Sequence, residues 1–256
     1  MNYTLITGAT GGLGVAFCEI YAKNNNNLIL VATNAKKLQA LQQDLKNRFD
    51  VAVEYIVADL SDQTQLQQVF DRAQKLGFVN NLINNAGFGD RTDFKDMDVH
   101  LQQQMVNVNC TALLYFTRKF LTDMLQRNQG KIINVGSIAG FVPGPYMCTY
   151  HATKAFVLNL GEAIAHEIRK TNVKILTLCP GPFTSNFVEK AGNDYTFKKI
   201  KPVSAQKVAE TGYKYSQKGK RICVVGFKNK LTVFAPRFFS RKFVAKVSAS
   251  QIKQQD

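Results

Sequence analysis

Tyr150 and Lys154 lie four residues apart in the stretch Tyr150-His151-Ala152-Thr153-Lys154. On an α-helix that spacing puts both side chains on one face, about 6 Å apart along the axis. Free tyrosine ionises near a pKa of about 10, and a neighbouring cation favours the phenolate and lowers that value. A phenol tuned in this way can hand a proton to an alkoxide, or take one from an alcohol, near neutral pH. Taken alone, the same spacing also describes a solvated helix face, so its companions decide what it means.

Three companions follow the order of the chain. Thr7-Gly8-Ala9-Thr10-Gly11-Gly12-Leu13-Gly14 sits between an apolar run, Tyr3 to Ile6, and a helical pattern, Val15 to Ala22. Glycines there allow positive φ and close backbone approach, and a helix N-terminus offers N–H groups and partial positive charge to a phosphate. A plain tight turn is the alternative. Asn84-Asn85-Ala86-Gly87 follows the apolar Leu82-Ile83, and Ser137 closes the run Lys131 to Gly136. Ligands of open α/β sheets sit at the carboxyl ends of strands, although Ser and Asn there also make ordinary turns.

In this order and spacing, with Pro180-Gly181 downstream, these residues resemble the short-chain dehydrogenase/reductase family from about residue 2 to 225. That family's pattern is Thr-Gly-x-x-x-Gly-x-Gly, Asn-Asn-Ala-Gly, Ser, Tyr-x-x-x-Lys and Pro-Gly. Gly8, Gly11 and Gly14 also fit the Gly-x-x-Gly-x-x-Gly of the longer sugar-nucleotide epimerase branch. About 75 residues follow Pro180, too few for that branch's extra substrate domain, so the short single-domain branch is expected.

The resemblance implies an NAD(P)-dependent oxidoreductase that moves a hydride between nicotinamide and a carbonyl or secondary alcohol. Tyr150 would supply the proton and Ser137 a hydrogen bond to the same oxygen, where charge develops. Lys154 would lower the tyrosine pKa and hold the nicotinamide ribose. Asn109 matches the family's fourth catalytic position, supporting a water relay. Asn107 competes for that assignment, but the Cys110-Thr111-Ala112-Leu113 that follows selects Asn109. An asparagine that merely bends or caps the helix is the other reading. The implied cofactor contacts are Gly8, Thr10, Gly11, Gly12, Leu13, Gly14, Thr33, Asn34, Asp59, Asn85, Ala86, Gly87, Tyr150, Lys154, Pro180, Gly181 and Ser185. Asp59 would meet the adenine, with a helix N-cap as its alternative. The Ser185 hydroxyl would take the nicotinamide amide.

NAD-binding members usually carry an acid at the end of the second strand for the ribose 2′-hydroxyl. Here Leu28 to Val31 runs into Ala32-Thr33-Asn34 with no acid. The missing carboxylate favours NADP(H) over NAD(H). Gly11 and Thr33 occupy positions where many NADP enzymes carry a base, so Thr33, Asn34 and Lys37 would have to serve a phosphate.

Positioning these groups needs alternating elements. Strands read at about 3–7, 28–32, 51–57, 81–84, 131–136, 173–179 and 221–225, and helices at about 12–24, 35–48, 62–76, 97–127, 148–170 and 204–216. The alternation predicts an α/β, doubly wound Rossmann fold: a seven-stranded parallel sheet with helices on both faces. One catalytic domain is expected over 1–226, with a substrate loop at about 183–203 carrying Phe187, Tyr195 and Phe197. Phe141, Val142 and Tyr146 would form the opposite wall. Such walls suit a hydrophobic ketone, and aromatic residues in loops are also ordinary packing.

The first apolar run starts at residue 3, which leaves no room for a leader, and no run of 18 apolar residues exists. Five scattered cysteines and three histidines offer no metal-ligand spacing, so no metal is expected and reduced thiols in a cytoplasm are. Cys148 reads as a site-lining thiol or a small packing residue.

Charge is unevenly spread. Residues 1–194 hold 18 Lys/Arg against 16 Asp/Glu, whereas residues 195–255 hold 15 against one, Glu210. Residues 227–256 read as a basic amphipathic extension, interrupted at Pro236. It suits packing on the body, peripheral contact with an anionic membrane, a lid over an acyl or phosphorylated substrate, or an arm for a second subunit in a homo-dimer or tetramer. No nucleic-acid recognition motif is present, so no specific nucleic acid is expected. The competing functional class is a catalytically idle cofactor-sensing or membrane-tethered protein on the same fold. Intact Ser137, Tyr150 and Lys154 speak against it.

Overall fold

The computed structural model describes residues 1–184 and 202–252. Seven strands form one all-parallel sheet: β1 (Asn2–Thr7), β2 (Asn27–Ala32), β3 (Val53–Val57), β4 (Phe78–Asn84), β5 (Lys131–Val135), β6 (Lys174–Cys179) and, at the far edge, β9 (Ile222–Val224). Their order is β3-β2-β1-β4-β5-β6-β9. The chain builds outward from β1 and then returns to place β4 on its other side. The order reverses there, so a crevice opens between the carboxyl ends of β1 and β4.

Both faces of the sheet are buried, because consecutive strand residues point to opposite sides. Ile6, Leu28, Leu30, Ile133 and Leu176 join one apolar cluster, with Phe17 and Tyr21 of α1 (Gly12–Lys23), Leu38 of α2 (Ala35–Arg48) and Val208 of α7 (Ala205–Gln217). Their neighbours Leu5, Ile29, Val31, Ile132 and Ile175 join the other. That cluster takes in Val69 of α3 (Gln63–Leu76), Phe116 and Phe120 of α5 (Leu113–Gln126) and Ala165 of α6 (Cys148–Glu167). The near-continuous apolar runs of the sequence are thus explained by burial on two sides.

Several helix starts use side-chain caps: Asn34 Oδ1 accepts from Lys37 N at 2.9 Å, and Asp62 Oδ1 from Thr64 N at 2.8 Å. The start of α1 differs. Gly11 stands at its N-cap and offers no side chain to it.

Three details depart from the sequence reading. The single helix expected over 97–127 is α4 (Val99–Val106), a π-helical turn (Asn107–Ala112) and then α5. β4 begins at Phe78 rather than at 81, because Asn81 is buried inside the strand and its Nδ2 donates to Thr4 Oγ1 at 3.2 Å. A two-stranded pair, β7 (Phe183–Thr184) with β8 (Val203–Ser204), brackets the expected substrate loop. Beyond β9 come α8 (Phe227–Phe234), a 3-10 turn (Ala235–Phe238) with Pro236 at its start, and α9 (Arg241–Ile252).

Candidate active site

The crevice is built by locking two turns together. Thr7, the last residue of β1, turns its hydroxyl towards the Asn-Asn-Ala-Gly turn, where Oγ1 accepts from Asn85 N and Ala86 N at 3.0 Å each. In return Asn85 Nδ2 donates to Thr7 O at 2.9 Å and Gly8 O at 3.1 Å. Gly8 holds φ +63°, and a β-carbon there would stand 2.9 Å from Ala86 Cα. Gly14 packs its α-carbon on the same turn, where a β-carbon would lie 2.9 Å from Ala9 Cα. Between them Thr10 is half-buried, Gly11 and Gly12 are exposed, and Leu13 is buried. Exposed glycines at an uncapped helix start leave backbone N–H groups and the positive end of α1 open to an anion.

On the other side of the crevice, α6 carries Tyr150 and Lys154. Lys154 is buried at 5% exposure, and its Nζ donates to Val135 O at 2.9 Å. The ammonium stands 5.7 Å from the centre of the Tyr150 ring. Ser137, just past β5, lies close enough to the Tyr150 hydroxyl to lower its pKa, while its Oγ accepts from Ala139 N at 3.1 Å. The π-helical turn brings in Asn109, which is fully enclosed. Its Oδ1 accepts from Phe88 N at 3.0 Å, and its Nδ2 donates to Phe88 O at 2.9 Å and Thr153 Oγ1 at 3.1 Å. A side chain at Gly87 would meet both Asn109 Oδ1 and Lys154 Nζ, so these groups converge on one spot. Asn107 points elsewhere: its Nδ2 reaches Ser61 O at 3.4 Å.

Electrostatics differ from the sequence expectation. Burial pushes the Tyr150 phenol up to about 12, against a smaller lowering by Ser137. Burial also pulls Lys154 down to about 8. The phenol is therefore raised, not lowered as the sequence led one to expect, and burial sets the direction. Desolvation disfavours both charged forms, and the lysine that would favour a phenolate is itself a weakened cation.

The short-chain dehydrogenase model matches residues 2–196, three quarters of the chain. The chain belongs to the short-chain dehydrogenase family. Its relatives include the 7beta-hydroxysteroid dehydrogenase of Mediterraneibacter gnavus, 31% identical over 70% of this chain and 68% of that one. A solved short-chain dehydrogenase from Sphingobium yanoikuyae in complex with NADPH covers 100% of this chain and 99% of its own, at TM-score 0.84 and 25% identity. A short-chain dehydrogenase/reductase from Burkholderia phymatum, solved with NAD, covers 100% and 98% at TM-score 0.83 and 22% identity, a likeness of fold. This protein is accordingly an NAD(P)-dependent oxidoreductase acting on a small molecule, with a Rossmann-like sheet.

Among the remaining cofactor contacts expected of a short-chain dehydrogenase, Thr33 and Asn34 are exposed just past β2, beside the exposed Lys36 and Lys37. Asn34 Oδ1 is taken by its capping bond, which leaves its amide nitrogen for a ligand. Asp59 does not cap a helix; that role falls to Asp62. The Asp59 carboxylate instead accepts from Ser61 N at 2.9 Å and Ser61 Oγ at 2.8 Å. Pro180 O accepts from Ile138 N at 3.0 Å, tying the Pro180-Gly181 turn to the segment after Ser137. Ser185, Phe187, Tyr195 and Phe197 lie outside the described residues. Phe141, Val142 and Tyr146 are all partly exposed, and His151 Nδ1 fixes Val142 O at 2.9 Å. Cys148 is not a packed thiol. It is exposed and lines an apolar groove between α4 and α6 with Phe94, Val99 and Val106, off the Tyr150 face of the helix.

Sequence reasoning passed over Thr7 as a structural hub and Thr153 as a partner of Asn109. Thr7 opens the glycine motif and was open to notice. Nothing in the pattern around Thr153 signals a contact 44 residues away.

Proposed function

We propose that this short-chain dehydrogenase reduces a hydrophobic ketone to the secondary alcohol, with NADP(H) preferred over NAD(H). The observation that carries the reading is the meeting of Tyr150 and Ser137 at the carboxyl end of β5, with the Lys154 ammonium 5.7 Å from the ring centre. The glycine cradle at the start of α1 would hold a pyrophosphate, and Tyr150, Lys154, Pro180 and Gly181 would hold the nicotinamide ribose. Bound there, the reduced nicotinamide supplies the hydride.

The chain's own residues manage the proton. Ser137 donates to the carbonyl oxygen and orients it towards Tyr150. With a pKa near 12 the phenol keeps its proton at neutral pH, which suits donation to a far more basic alkoxide. The phenolate left behind is stabilised by Lys154 and regains a proton through water held near Asn109. Asn109 keeps the backbone at Phe88 in place and so shapes that path.

The cofactor preference rests on the end of β2, where Thr33, Asn34, Lys36 and Lys37 are exposed and no carboxylate stands to repel a 2′-phosphate. The apolar substrate is supported by the partly exposed Phe141, Val142 and Tyr146 beyond Ser137, and by a relative named for a hydroxysteroid.

The test is turnover of purified protein with NADPH or NADH over a panel of apolar ketones, followed by loss of cofactor fluorescence. Tyr150→Phe should lower kcat by about 100-fold or more while the NADPH Kd changes little. Undiminished turnover in that variant rejects the proton-donor role, and no turnover by the parent chain returns the idle-binder reading. Thr33→Asp should lower kcat/KM with NADPH by about tenfold or more, and spare NADH.

A further inference from the structure

The segment from α8 to α9 combines two features that a soluble surface does not ordinarily combine. Residues 227–252 hold Lys228, Lys230, Arg237, Arg241, Lys242 and Lys246 and no acid at all. The same stretch exposes large apolar side chains in series. Five of the seven exposed phenylalanines among the described residues lie here, and Phe227 and Phe238 are 75% and 71% exposed. Phe227, Leu231 and Phe234 share one face of α8 at helical spacing, and no residue of α8 or of the following 3-10 turn is buried. The rings pair with one another, Phe234 with Phe238 at 5.3 Å and Phe239 with Phe243 at 5.1 Å, instead of packing into the body. The arm packs on the body at its two ends, through Asn229 against Gly181 and through the buried Ser248 and Ile252, and leaves the rings between them exposed.

We propose that this arm docks the protein on an anionic lipid bilayer. Exposed phenyl and leucyl groups enter the boundary between headgroups and acyl chains, and interleaved lysines and arginines meet the anionic headgroups. The two helices, eight and twelve residues long, are too short to cross a membrane, and among the described residues no helix is long and apolar enough to do so. The arm therefore lies on the surface. Charge argues against a second copy packed arm to arm, because six cations would face six with no acid between them. Nucleic acid would satisfy the cations but not the aliphatic and phenyl groups on a convex helix, since single strands are held in grooves.

Docking would also place the crevice. Asn229 of α8 donates from Nδ2 to Val225 O at 2.6 Å and presses its amide against Gly181, leaving no room for a side chain there. The arm thus begins beside the Pro180-Gly181 turn, and a bilayer under α8 lies next to the mouth of the site. For an apolar ketone, as proposed above, that shortens the route from lipid to Tyr150.

The test is sedimentation of the full chain with phosphatidylcholine vesicles, with or without phosphatidylglycerol. Pelleting should be at least about tenfold stronger with the anionic vesicles and should fall as salt is raised. Phe234→Ser with Phe238→Ser, and separately Lys242→Glu with Lys246→Glu, should each weaken it by about tenfold or more without changing Tm, since these residues are exposed. Tyr150→Phe should bind vesicles as well as the parent chain, so failure of the catalytic reading leaves this one testable. Absence of pelleting overturns the proposal, as does equal pelleting by the parent and both double variants. So does light scattering that shows the phenylalanine variant only splitting a dimer, or an arm that captures single-stranded nucleic acid and no vesicle.

Discussion

Replacing Lys154 by methionine should stabilise the cofactor-free protein at neutral pH while ending turnover. The ammonium is buried, has one backbone acceptor at 2.9 Å, and pairs with no carboxylate among the described residues. Its pKa falls from the usual 10.5 to about 8 because burial penalises the charge. At about 1.4 kcal/mol per pH unit, that drop sets a ceiling of about 3 kcal/mol on the cost of keeping the lysine charged in the fold. Losing the hydrogen bond to Val135 O returns about 1 kcal/mol, so a net gain of about 1–2 kcal/mol is expected. Methionine fills similar space with an unbranched chain. For a chain of this size the gain corresponds to a rise in Tm of about 2–8 °C. The sign with pH follows from a base whose folded pKa is depressed. The unfolded chain binds more protons between about pH 8 and 10.5, so the parent protein gains stability as pH rises through that window. The advantage of Lys154→Met should be full at pH 7 and gone near pH 10.5. Thermal unfolding by circular dichroism at pH 7, 9 and 10, on cofactor-free samples, reads it directly. A variant less stable than its parent at pH 7, or an advantage unchanged across that range, would refute the reasoning.

Two further outcomes follow from other contacts. Thr7→Val keeps the shape but removes the acceptor shared by Asn85 N and Ala86 N, so urea unfolding should show a loss of about 2–4 kcal/mol and cofactor affinity should fall with it. Burial holds His151 below its ordinary pKa of 6.5. The unfolded state thus binds more protons as pH falls past 6.5, stability drops on acidification, and His151→Gln should flatten the dependence of Tm on pH between about 7 and 5. A slope identical to the parent's would remove His151 from the account.

Residue types and spacing alone determined much of this protein. Apolar runs separated by helical periods specify a parallel sheet, because each strand must be apolar on both faces once helices cover it. The motifs from Thr7 to Gly14, Asn84 to Gly87, Ser137, and Tyr150 with Lys154 named the candidate site, since each fulfils a local demand: a turn, a strand end, one face of a helix. What remained invisible depends on which elements meet. Asn84, read as part of a turn, lies inside β4 in register with Asn134 of β5, and its Nδ2 donates to Asn134 Oδ1 at 2.9 Å and Thr117 Oγ1 at 3.0 Å. The π-helical turn that seats Asn109 reflects contacts with Phe88 and Thr153 rather than any local propensity. Sequence proximity predicted that Lys154 would acidify Tyr150. The tertiary structure reversed the sign, because burial disfavours the charged form of each group and raises the phenol while it lowers the ammonium. Local chemistry is written along the chain, whereas solvation is a property of what folds over it, and only the assembled crevice sets it.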